Sequence, residues 1–283
     1  MGMMSMMLAV GGAAGTDFNA EFLVIGGGGH NTATITDNGV TAAARGGGGA
    51  GGYISSISGE SSGGGASALS PVGLKSVSET YTVTVGAAGS NSVFSGTDNT
   101  GSAFNHTAVR GGGSAASGGS GGGGDTNSSG GAGTSGQGFA GGNGAQPFGE
   151  CRRQPFYCTS SCDHEAYMGG GGGAGAAGNG INGGNGVASS VTGSSVTYAG
   201  GGGGRSVCPS NFITGSAGSG QSNYGGGGHV GAAGQDGVVI LKYPTTMNIS
   251  NAGGGLTMST STVSGNKVTV ITAGTGSIEF TDV

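Results

Sequence analysis

The feature that most constrains this chain is the spacing of its glycines, which is clearest between Tyr224 and Pro244. In that stretch glycine recurs at every third position, at Gly225, Gly228, Gly231, Gly234 and Gly237. A period of three fits neither an α-helix nor a β-strand, but it matches the left-handed polyproline II helix, here called polyglycine II. Such a helix has no internal hydrogen bonds, so its N–H and C=O groups must bond to neighbouring segments. The pattern therefore predicts a bundle of laterally bonded polyglycine II helices.

Similar glycine segments recur along the chain. They lie at 26–29, 46–52, 111–144, 169–186 and 200–204. Glycine triplets recur inside them, for example at Gly118, Gly121 and Gly124. With the opening stretch, these segments are numerous enough for interior helices to have neighbours on all sides.

Composition argues both for and against an ordered chain. Glycine makes up 75 of 283 residues, and ordering each residue costs roughly 1–2 kcal/mol in backbone entropy, with almost no apolar burial in return from glycine. Against disorder, only 7% of residues are charged and 34% are hydrophobic, whereas disordered chains are usually rich in charge. The apolar residues also fall in discrete runs. We therefore expect an ordered fold.

Those apolar runs predict a small antiparallel β framework. Residues 21–25, 81–85 and 238–241 have the length and alternation or β-branched content of strands. A turn at 86–89 brings 92–94 back as a hairpin partner for 81–85. Residues 54–80 read as a surface excursion with a few apolar anchors. These anchors are Ile54, Ile57, Leu69, Val72 and Leu74.

The predicted fold is therefore mainly β plus irregular structure, with a polyglycine II bundle and very little α-helix. Residues 1–20 form an N-terminal tail or docking segment, 21–244 the glycine-rich domain, and 245–283 a small C-terminal β unit. Within that unit we expect strands at 247–249, 267–271 and 277–280, separated by glycine-containing turns.

Charge and hydropathy exclude several functions. The net charge is −5 with no basic cluster, so nucleic-acid binding has no electrostatic basis. No apolar run approaches the ~20 residues that span a bilayer. The methionine-rich start has no Lys or Arg, which is atypical of a signal peptide. It reads either as an apolar tail that docks on a partner or as a frayed end.

The sequence predicts no catalytic, cofactor or metal site. The four histidines are scattered, at His30, His106, His164 and His229. Matches to the GxGxxG pattern occur throughout, but none has the strand–helix context or the downstream acidic residue of a nucleotide site. We therefore expect a protein that is not an enzyme.

Two segments interrupt the glycine-rich sequence. The cysteine island, residues 146–168, reads QPFGECRRQPFYCTSSCDHEAYM, and the second island spans 205–213. Together they contain all four cysteines, namely Cys151, Cys158, Cys162 and Cys208. These could form disulfides in any of three pairings, stay as free thiols, or bind a metal with His164. Both islands lie between glycine segments, so we expect loops at one end of the bundle, with Cys208 near another cysteine.

Aromatic and arginine side chains of the islands form a candidate recognition surface for a protein or a sugar. The candidate residues are Phe148, Arg152, Arg153, Phe156, Tyr157, Tyr167, Arg205 and Phe212. The alternative is that the aromatic residues form a plug over the end of the bundle.

The order of elements resembles the glycine-rich domain of phage tail fibres and related virion proteins, abundant in marine phages. The resembling segments are EFLVIGGGG at 21–29, ARGGGGAGGY at 44–53, YTVTVGAAGSNSVFS at 81–95, GQDGVVILKYP at 234–244 and the tail at 251–280. The cysteine island departs from that pattern.

The resemblance implies a structural or adhesin role in a virion without enzymatic activity or cofactor. It implies other virion proteins and a host cell-surface protein or glycan as partners, and a homo-oligomer, with a trimer favoured. Two other roles stay open. One is a capsid decoration or assembly joint without receptor contact, and the other is an extracellular matrix protein, which the atypical N-terminus disfavours.

Overall fold

The structure, a computed structural model, describes residues 15–31, 34–37, 40–43, 45–77, 79–145, 166–207 and 213–283. In these ranges the regular elements are β-strands and one turn of 3-10 helix, Gly63–Gly65. The strands are β1 (Asp17–Ile25), β2 (Thr34–Asp37), β3 (Val40–Ala43), β4 (Tyr53–Ser55), β5 (Val72–Lys75), β6 (Thr80–Val85), β7 (Ser92–Thr97), β8 (Ala103–Ala108), β9 (Ala166–Met168), β10 (Val187–Ser189), β11 (Val196–Tyr198), β12 (Arg205–Val207), β13 (Ile213–Thr214), β14 (Val238–Pro244), β15 (Met247–Asn251), β16 (Leu256–Val263) and β17 (Asn266–Asp282). The predicted mainly β fold is confirmed.

Ten strands form one antiparallel sheet. Its main path is β4-β1-β14-β17-β6-β7-β8, with β5 beside β1 and with β15 and β16 beside β17. The sheet curls until it is nearly closed, and β4 approaches β8. The ion pair between Lys242 Nζ and Glu21 Oε2, at 2.6 Å, lies across a directly opposed pair of residues of β1 and β14.

The strands predicted between 21 and 241 lie within β1, β6, β7 and β14, and β6 pairs with β7 as expected. The prediction of a turn between 271 and 277 is wrong, because β17 runs through it as one strand. Gly274, at a φ of 100°, lies where β17 changes its neighbour from β14 to β6. A methyl group there would lie 1.8 Å from the carbonyl oxygen of Gly255, so glycine permits the bend.

The β framework has two hydrophobic cores, which share β1 and β14. Alternate residues point to opposite faces of a strand, so Phe22 and Val24 enter one core while Leu23 and Ile25 enter the other. The first core also receives Ile278 and Phe280 of β17. Residues 245–283 are therefore joined to the glycine-rich part through one sheet.

The excursion at 54–80 is anchored largely as expected. Ile54, Ile57, Val72 and Leu74 are buried, whereas Leu69 is 44% exposed and does not act as an anchor.

Residues 46–52 form the central segment of a polyglycine II bundle, and their amides show the three-fold period. Donors three residues apart bond the same neighbour: Gly47 and Ala50 bond 169–172, Gly48 and Gly51 bond 225–228, and Gly49 and Gly52 bond 109–112, all at 2.7–2.9 Å. The carbonyl groups accept from three further segments: from Ser120 and Gly123, from Gly202, and from Gly26 and Gly29. The central segment thus has a neighbour on each of six sides.

This packing explains why glycine occurs in continuous runs. A Cβ at Gly47 would lie 2.1 Å from the carbonyl oxygen of Gly202, and one at Gly48 would lie 2.3 Å from that of Gly29. Neither approach is possible for a real side chain. An interior helix with neighbours on all faces therefore requires glycine at nearly every position, with Ala50 as the exception in this segment, rather than at every third one.

The prediction of one helix from Gly225 to Gly237 is wrong. The chain turns at 229–232, where the amide of Ala232 bonds the carbonyl of His229 at 2.8 Å. Gly231 has a φ of 75° in this turn, and nothing lies within 4 Å of a Cβ built on it. The stretch is two segments that run back along each other, with Gln235 N bonded to Gly226 O at 2.7 Å.

Candidate functional site

The bundle has two different ends. At the near end its segments continue into the β framework, as Ile25 leads to Gly26 and Gly52 leads to Tyr53. At the far end the same two segments lead to the β2–β3 hairpin. A third segment of the far end begins at Gly169, whose carbonyl accepts from Gly47 at 2.8 Å.

A small sheet, in the order β13-β12-β9, extends this far end. Arg205 of β12 lies opposite Met168 of β9 on one side and opposite Thr214 of β13 on the other. Beyond β9, Ala145 and Tyr167 exchange two backbone hydrogen bonds, both of 2.9 Å. Both islands therefore leave the bundle from neighbouring strands at the same end, as expected for loops at one end.

The structure brings two predicted recognition residues onto neighbouring strands. Tyr167 of β9 lies opposite Ser206 of β12, next to Arg205, and both Tyr167 and Arg205 are partly buried. The other predicted recognition residues and the cysteines lie outside the described residues. They are Phe148, Arg152, Arg153, Phe156, Tyr157, Phe212, Cys151, Cys158, Cys162 and Cys208. The pairing of the cysteines therefore stays a prediction.

The far end includes a region that the sequence analysis treated only as a polar segment, the stretch between Asn31 and Arg45. This stretch carries the β2–β3 hairpin and lies between two glycine runs, as the islands do. Its position between two glycine runs was the sequence signal that could have identified this stretch as a third excursion. The hairpin returns to the bundle at Gly46, whose amide bonds Ser114 Oγ at 2.8 Å and Asp125 Oδ1 at 3.1 Å.

The three histidines that the structure describes contact backbone or aromatic groups of the fold. His30 is exposed and its Nε2 lies 3.2 Å from the carbonyl oxygen of Ala88. His229 Nδ1 accepts from the amide of Gly203 at 3.2 Å, which leaves the ring proton on Nε2 in the neutral form. His106 stacks on Phe22 with ring centroids 4.2 Å apart, and burial lowers its pKa. His164 lies outside the described residues.

A partly buried carboxylate, that of Glu60, fastens the β10–β11 hairpin to the near end. Glu60 Oε1 accepts from the amide of Ser190 at 2.8 Å and from Ser189 Oγ at 3.1 Å. Burial, followed by the charge of Glu60, raises the pKa of the neighbouring Tyr53. These contacts tie a loop to the second core.

In the ranges that the structure describes, no three ligand-type side chains converge in a way that could hold a metal ion. In the same ranges there is no helix with the length and apolar character needed to cross a membrane.

A curled β framework that supports a six-neighbour polyglycine II bundle defines the class of this protein, a glycine-rich scaffold. More particularly, the chain belongs to the glycine-rich domain family, whose model matches residues 18–244. No curated protein and no solved structure matches the chain. The family description names a composition and no particle, partner or activity.

Proposed function

We propose that this protein is a non-enzymatic structural component of a virion, made in the host cytoplasm. In this role it is a phage tail fibre or spike subunit that presents its far-end loops to a host cell-surface protein or glycan. It assembles as a homo-oligomer with other virion proteins. The observation that carries the proposal is the common origin of the three excursions, residues 32–44, 146–165 and 208–212, at the far end of the bundle.

A polyglycine II bundle suits this task because it is rigid. Each interior residue is held by lateral backbone hydrogen bonds rather than by side-chain packing. Binding residues on loops are effective when a rigid scaffold positions them, because less conformational entropy is then lost on binding. The aromatic and arginine content of the islands suits recognition of a protein or a sugar.

The proposal is tested by removing the cysteine island without disturbing the bundle. Ala145 and Tyr167 are directly opposed, so residues 146–165 can be replaced by a short Asn-Gly-containing turn. We expect the variant to keep the thermal stability of the parent and to lose binding to intact cells of the bacterium that the encoding phage infects. The matched control replaces the β7–β8 turn, residues 98–101, at the opposite end of the molecule, and should bind normally.

The outcomes separate the alternatives. Undiminished cell binding by the island replacement would contradict presentation by this loop. Absence of cell binding by the parent chain itself would contradict the attachment role. In that case, gold-labelled antibody against the chain on intact particles distinguishes a capsid decoration or joint from a protein that is not in the particle.

A further inference from the structure

The free edge of β16 differs from the other edges of the main sheet. Edge strands expose unpaired N–H and C=O groups, and natural proteins protect them with short length, charge, proline or a covering loop. β16 has eight residues, LTMSTSTV, without charge or proline. Within the described residues, its backbone from Met258 to Val263 pairs only with β17.

The remaining edges are shorter or partly covered, and β15, which in the described sheet also pairs only with β17, has five residues. The backbone of β4 bonds on its outer side to Gln137, Ser62 and Leu69. The six-residue β8 is covered at its C-terminal end, where Gln137 Nε2 donates to the carbonyl of Thr107 at 3.1 Å. In β5, a strand of four residues, the Lys75 backbone bonds the Tyr81 hydroxyl group. The β16 edge is thus the longest edge left open in the described part of the sheet.

We propose that β16 pairs in antiparallel fashion with β16 of a second copy of this chain across a two-fold axis. The uncharged composition of β16 favours a second copy as its partner. A strand that pairs with its own copy brings like residues close together. In a chain of net charge −5, a charged edge would repel its own copy. β16 presents exposed, uncharged Ser and Thr side chains instead, and Thr–Thr and Ser–Thr cross-strand pairs are favourable.

A register centred on Thr260 suits this pairing. It places Ser259 of one copy opposite Ser261 of the other, with both side chains exposed on the same face. Leu256 and Met258 on the opposite face pack against the first core, so β16 is already fixed in an extended form. Little ordering entropy is therefore lost when the second copy adds its strand. The pairing does not depend on any attachment role of the far end.

The test is sedimentation velocity on the full chain and on two charged variants. One variant carries Ser259→Lys and Ser261→Lys, and the other carries Ser259→Glu and Ser261→Glu. We expect the parent to be a dimer and each variant to be a monomer, with dimer affinity lowered on the order of 100-fold by opposed like charges. An equimolar mixture of the two variants should return to a dimer, because unlike charges then face each other.

The matched control is Ser250→Lys on β15, an exposed serine of another strand that pairs only with β17 in the described sheet. It should remain a dimer, and all variants should keep the circular dichroism spectrum of the folded parent. A monomeric or trimeric parent would overturn the proposal. So would variants that still dimerise, or a mixture that stays monomeric.

Discussion

A single methyl group in the centre of the bundle should remove much of the stability that the lateral hydrogen bonds provide. The perturbation is Gly48→Ala. Its Cβ would lie 2.3 Å from Gly29 O and 2.8 Å from Gly228 N, and these neighbours are backbone atoms that cannot rotate away. One helix must therefore move, and the bonds from Gly48 N to Gly228 O and from Gly202 N to Gly48 O, both 2.9 Å, are strained or lost.

The magnitude follows from two contributions. Overpacking of a close-packed site costs about 1–3 kcal/mol, and leaving buried backbone groups unpaired costs roughly 1–3 kcal/mol for each bond lost. With both bonds lost, they lower the free energy of unfolding by about 3–9 kcal/mol, a large part of the roughly 5–15 kcal/mol that a typical domain has. For a chain of this size, the melting temperature should fall by roughly 5–15 °C.

The matched control is Gly113→Ala. The nearest heavy atom to its Cβ is His30 O at 3.6 Å, an ordinary contact, and its backbone is not left-handed. Alanine there loses less entropy on folding, so stability should stay equal or rise by about 0.4–1 kcal/mol. Calorimetry or circular dichroism against temperature measures both variants. Equal melting temperatures for the two would refute the lateral-packing argument.

Three further predictions concern order, acid stability and the cysteines. Amides of residues 47–52 should resist hydrogen exchange for hours, whereas those of the turn at 230–233 exchange within minutes; uniformly fast exchange, read by mass spectrometry, would contradict an ordered bundle. Burial lowers the pKa of His106, so its imidazole takes up a proton more readily in the unfolded chain than in the folded one. The stability that the neutral ring contributes is therefore full above about pH 6.5 and declines as pH falls through the folded pKa. Urea titrations at several pH values should show this loss of stability reduced in His106→Phe and unchanged in His30→Phe. Non-reducing peptide mapping should find Cys208 bridged to a cysteine of the island at 146–168. A free Cys208 in protein kept in air would count against the prediction that Cys208 lies near another cysteine.

The islands show how far position in the sequence could predict a site. Segments lying between glycine runs must leave the bundle and re-enter it, so a common end was predictable for the excursions at 146–165 and 208–212. The sequence did not predict that the two excursions lie next to each other. The order β13-β12-β9 depends on which segments become neighbours in the bundle. All polyglycine II segments offer the same unpaired N–H and C=O groups, so the local sequence does not choose the partner.

The sequence alone determined the kinds of structure present. Residues 21–25 and 238–241 had to be buried strands because they are apolar runs bounded by glycine, and the glycine runs had to pair laterally because they offer the backbone alone. The tertiary structure decided where segments end. Glycine adopts the polyglycine II conformation and the left-handed turn conformation about equally well, so the same triplet continues a helix at Gly228 and reverses it at Gly231. Likewise Gly274 became a bend inside β17 rather than a hairpin, because pairing with β14, β16 and β6 on both sides of it stabilises one continuous strand.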